Sequence, residues 1–170
     1  DGEGMEALSA RRIAKELGVS AMTISNYVKN LNDVKKRVLI AGFDRLYSSV
    51  YQSLSGLEQP VSRRTMCRTM ALEVFRFAQA NRSIFSFMFF DGRNLFHEDA
   101  EVRPFYAFMT RFVSRPRGYI AGWQPDDMPY NLLETIITTI SYQCAEGVIT
   151  LSEQAFMDHV NFYIERCIDE

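Results

Sequence analysis

The sequence predicts an all-α chain: a small helix-turn-helix unit over residues 1–45, then a larger helical domain over 46–170. Three observations carry this. Apolar residues recur at helical spacing in nearly every segment. Ser, Asn, Gly and Pro punctuate those segments where helices start and stop. No segment reads as a strand, because the β-branched run at 136–140 lies inside an uninterrupted helical pattern.

Composition sets the class. At 170 residues, 47% hydrophobic and 24% charged, the chain is long enough for a real core and too apolar to be disordered. The densest apolar patch, residues 84–90, is too short to span a bilayer, and the start has no secretory leader pattern. A cytoplasmic location is expected. Cys67, Cys144 and Cys167 are odd in number, far apart and outside any CxxC pair, which favours reduced thiols over a disulfide framework.

Net charge is −2, unevenly spread. Residues 1–40 hold seven Lys or Arg against five Asp or Glu, residues 41–120 eleven against seven, and residues 121–170 one against nine. A basic end and an acidic end fit a protein that meets a polyanion at one pole.

Residues 9–30, SARRIAKELGVSAMTISNYVKN, organise the first unit. Ser9 caps a helix whose apolar stripe is Ile13, Ala14 and Leu17. Gly18 follows, where a helix end needs the left-handed conformation, and Val19 reads as an inward plug. Ser20 caps a second helix with Ile24, Tyr27 and Val28 inward. Ala21, Met22, Thr23, Ser25, Asn26 and Lys29 point outward and are short, polar or flexible, as a helix pressed into a DNA major groove requires. An ordinary helical hairpin is the bland alternative.

A third helix over 33–54 is expected to support this pair. Lys35, Lys36 and Arg37 crowd its start, against the helix dipole, and phosphate contact accounts for them as well as a solvated face does. Residues 55–62 form a loop with Gly56 and Pro60. Residues 63–81 form a helix with a broad apolar face, and 83–90 are nearly all apolar, broken by Asp91, Gly92 and Asn94. A helical pattern resumes over 98–114, and prolines break the chain on either side of Trp123. The last two helices, 129–147 and 152–167, start at Pro129 and at the Ser152 cap.

Catalytic chemistry finds little footing. His97 beside Glu98 and Asp99 has no second ligand at metal spacing, and His159 reads as a surface or interface residue. No nucleophile elbow, phosphate loop or zinc-helix pattern occurs. The expectation is a non-enzyme without cofactor or metal. A ligand pocket is more plausible: Phe75, Met88, Phe89, Phe108, Met109, Phe112, Trp123 and Tyr142 are the candidate lining, for a mostly apolar effector. Arg111 or Arg76 would steer an anionic one. Leu133, Ile136, Ile137, Ile140, Cys144, Phe156, Val160, Tyr163 and Cys167 are the candidate interface of a symmetric dimer.

Residues 4–14 (GMEALSARRIA), then Leu17-Gly18-Val19-Ser20, Thr23-Ile24 and Val28-Lys29-Asn30, resemble the DNA-binding domain of TetR-type (TetR/AcrR family) regulators. The match at motif level ends near Asn30; beyond it the likeness is only of helical architecture. The resemblance implies three small helices on DNA, the first of them before residue 4 and so lacking here, and a larger domain that binds a small molecule and dimerises. It implies that Ser9 and Arg11 touch phosphate or a base, that Ala21, Met22 and Thr23 lead the recognition helix, and that Ser25, Tyr27 and Lys29 contact DNA. Ser25 stands where the family often has Tyr, Leu31 where it often has a basic residue, and Val28 where it often has Phe. These departures move the expected phosphate clamp toward Lys29, Lys35 or Lys36. The same motif also resembles the headpiece of LacI-type repressors, but the rest of this chain is too short and too helical for their sugar-binding domain. The expected function is a DNA-binding repressor released from a palindromic operator by its effector. The alternative is a helical dimeric interaction module that does not bind DNA.

Overall fold

The computed structural model describes residues 9–20, 22–23, 30–58, 60–106 and 128–168. Every regular element among them is helical. In chain order they are α1 (Ala10–Leu17), α2 (Leu31–Ser55), α3 (Arg63–Ala80), α4 (Arg82–Ser86), a π turn (Phe87–Asp91), α5 (Gly92–Phe96), a 3-10 turn (Arg103–Tyr106), α6 (Met128–Ala145) and α7 (Glu153–Cys167). None of the described helices is long and apolar enough to cross a membrane.

The starts follow local chemistry. Asn30, Ser62 and Ser152 each adopt extended backbone and accept a hydrogen bond from the N–H three residues on, opening α2, α3 and α7. α2 runs without interruption for 25 residues and passes through the boundary expected at 45/46. The break expected at residues 91–94 does not occur. Asp91, Arg93 and Asn94 are exposed side chains of a helix that continues from α4 through the π turn into α5.

α3 is the hub, packing on α2, α4, α6 and α7. Its buried face (Cys67, Met70, Ala71, Val74, Phe75, Phe77 and Ala78) joins Leu39, Phe43, Leu46 and Val50 of α2 and Phe156, Val160 and Ile164 of α7 in one core. α7 lies antiparallel to α3. Arg64 near the start of α3 donates to the Ile168 carbonyl at 2.8 Å, while Arg76 near its end grips Glu153 through two hydrogen bonds of 2.8 and 2.7 Å. Between these, Arg68 donates to Asn161 and pairs with Glu165. α4 is tied to the end of α6 by Arg82 and Glu146. Three carboxylates of the acidic C-terminal third therefore face arginines of the basic middle, so the charge asymmetry along the chain is partly an internal pairing.

The missing side chain of Gly92 lets α5 lie close on α2, and that of Gly42 lets α2 lie close on α4 and the π turn. A Cβ on Gly92 would lie 2.5 Å from Leu39 Cδ1 and 2.7 Å from the Phe87 carbonyl oxygen. A second aromatic group surrounds Phe43, whose ring centre is 5.5 Å from Phe89, 5.4 Å from Phe105 and 5.5 Å from Tyr106. Tyr47 secures the 3-10 turn by donating to the Phe105 carbonyl at 2.8 Å.

Candidate functional site

The N-terminal segment is built from caps. Ser9, extended at φ −140° and ψ 153°, accepts from the Arg12 N–H at 3.2 Å. Gly18 takes φ 66°, and the Gly18 and Val19 N–H groups close α1 on the carbonyls of Lys15 and Ala14. Ser20 accepts from the Thr23 N–H at 3.1 Å and exchanges a hydroxyl contact with Thr23 at 2.8 Å. Ser9, Arg11, Ser20 and Met22 are exposed, and Thr23 is half-buried. Ala21, Ser25, Asn26, Tyr27 and Lys29 lie outside the described residues.

The apolar side of this segment departs from expectation. Ala14 is buried, but Leu17 is 66% exposed and Val19 42% exposed. The Gly18 turn folds the Val19 N–H back onto the Ala14 carbonyl, but the Val19 side chain is open to solvent rather than an inward plug.

The basic start of α2 is partly engaged inside the fold. Lys35 is half-buried, and Arg37 pairs with Asp33 one turn back at 3.5 Å. Lys36, expected on phosphate, places its ammonium 2.7 Å from Glu101 and 3.2 Å from Asp99, with its side chain only 23% exposed. Burial pushes the Asp99 carboxyl up, but the Glu101 backbone N–H and the Lys36 ammonium together hold it below its ordinary value. Two carboxylates occupy this lysine, so it tethers α2 to the loop before the 3-10 turn instead of presenting a charge to solvent.

The described aromatic positions of the expected pocket are packed side chains. Phe75 stacks on Phe156 at 4.3 Å, Phe89 lies 4.7 Å from Phe85, and the fully buried Met88 fills the space above Gly42. Tyr142 is half-buried with its ring 4.5 Å from Phe90. Phe108, Met109, Phe112, Trp123 and Arg111 lie outside the described residues. Arg76 is held by Glu153 and Glu73.

An open cavity of about 380 Å³ lies elsewhere, at the α5 end of the molecule, lined by Arg93, Asn94, His97, Arg103 and Tyr106. Sequence reasoning does not single out this lining, because His97 reads there as a lone histidine beside two acids. The usable signal was Arg93 and His97 at i and i+4 on one helical face. The His97 ring places Nδ1 3.3 Å from the Asn94 carbonyl and Nε2 3.7 Å from Glu98. Among the described residues no group of three or more His, Cys, Asp or Glu could hold a metal.

The expected interface stripe divides. Leu133, Ile137, Phe156 and Val160 are buried within the chain's own core, against α3, and are closed to a partner. Ile136, Ile140, Cys144 and Tyr163 are half-buried, with the Tyr163 hydroxyl donating to the Pro129 carbonyl at 3.0 Å, and Cys167 is exposed. Outward apolar positions on these two helices include Met128, 50% exposed, Leu132, 42% exposed, and Phe162, 61% exposed beneath the Arg166 guanidinium.

No family model, curated protein or solved structure matches this chain.

Proposed function

We propose that the chain is a DNA-binding transcriptional regulator that works as a homodimer and responds to a small-molecule effector. The observation that carries this is the Ser9–Thr23 segment: a capped helix, a left-handed Gly18 and a Ser20 cap opening onto Met22 and Thr23. This sequence of caps is what a short two-helix DNA reader needs, because it turns the chain sharply and aims the start of the second helix outward. Exposed Arg11 and Lys15 on α1 supply charge for the phosphate backbone. Outward Leu132 and Phe162, with Ile136 beside them, face the second copy. The dyad of such a dimer sets two reading helices about 34 Å apart and calls for a palindromic site.

Selection from a randomised duplex library tests this reading. The full chain is expected to enrich one palindrome and to lose affinity steeply as salt rises. Thr23→Ala keeps the Ser20 cap, which uses the Thr23 backbone N–H, and is expected to weaken that site about 5- to 100-fold. Absence of any enriched sequence overturns the reading.

One feature favours the alternative of a helical interaction module without DNA binding. Met22 is 76% exposed, and Leu17 and Val19 of the same segment are exposed too, apolar surface that suits a protein partner. A dimer with no sequence preference on any duplex would select that alternative.

A further inference from the structure

We draw no further inference here: the strongest candidate, the outward apolar surface of α6 and α7 at Met128, Leu132 and Phe162, belongs to the dimer contact already proposed, and nothing in the structure shows what else covers it.

Discussion

Gly92 sits where the π turn meets α5, and its missing side chain is what lets that helix lie on Leu39. A methyl group there meets the Phe87 carbonyl at 2.7 Å, and backbone cannot swing aside. Gly92→Ala is expected to cost about 2–3 kcal/mol in urea unfolding with an unchanged m value. Gly42→Ala should cost less, because it meets the end of the flexible Met88 side chain. The reverse order would show that the π turn, not the Met88 contact, yields. The cysteines offer a second check. Burial pushes the Cys67 thiol up to about 12, whereas Cys167 is exposed. Ellman's reagent at neutral to mildly basic pH should label Cys167 in the native chain and Cys67 only after unfolding. Prompt native labelling of Cys67 would contradict its place in the core. Such single-residue features divide cleanly by legibility. Ser9, Gly18, Ser20 and Ser152 could be read from sequence because a cap is a local hydrogen bond. The outward turn of Val19 could not, because it depends on which neighbours reach that side of α1.

Helix type and rough extent are local properties, so α2, α3, α6 and α7 emerged close to their expected limits. The π turn did not, since one extra residue within a helical repeat leaves no compositional mark and polar Asp91 and Asn94 resemble a stop. Pairing between helices is equally invisible in a linear reading, and it governs the response to acid. The Arg76 guanidinium holds the Glu153 carboxyl below its ordinary value, and the Glu101 N–H and Lys36 do the same for Asp99 against the opposing effect of burial. Between the folded and unfolded values the unfolded chain binds more protons than the folded one. These pairs therefore stabilise fully above the ordinary carboxylate range, near the reference values of 4.5 and 3.8, and are lost as pH falls through the lowered ones. Melting temperature should fall between about pH 5 and pH 3, less steeply in a Glu153→Gln, Asp99→Asn double variant. Equal slopes in the two proteins would assign the acid sensitivity to other groups.

At the scale of the molecule, the distribution of charge along the chain suggests two poles, but the fold brings Arg68, Arg76 and Arg82 onto Glu165, Glu153 and Glu146. Those three arginines are therefore engaged by carboxylates of the same chain. Much of the candidate interface met the same fate, because α3 consumes the face that sequence periodicity marks as apolar and periodicity cannot say which apolar neighbour is internal. Leu132→Glu with Phe162→Glu should convert a species of twice 19.6 kDa into one of that mass by light scattering while leaving the helical signal intact. Phe156→Ala should instead cost about 3–5 kcal/mol of folding stability, since its ring stacks on Phe75 within the chain. A chain already monomeric before substitution would remove the dimer. The π turn carries one more implication, about chain length. Its additional residue advances everything downstream by about 100° around the helix axis. A protein one residue shorter between Phe87 and Asp91 would keep the same helices and nearly the same composition, yet Arg93 and Asn94 would point along a different bearing and their cavity would not assemble. A single-residue deletion at that point would therefore change the wall of that cavity more than many substitutions in it.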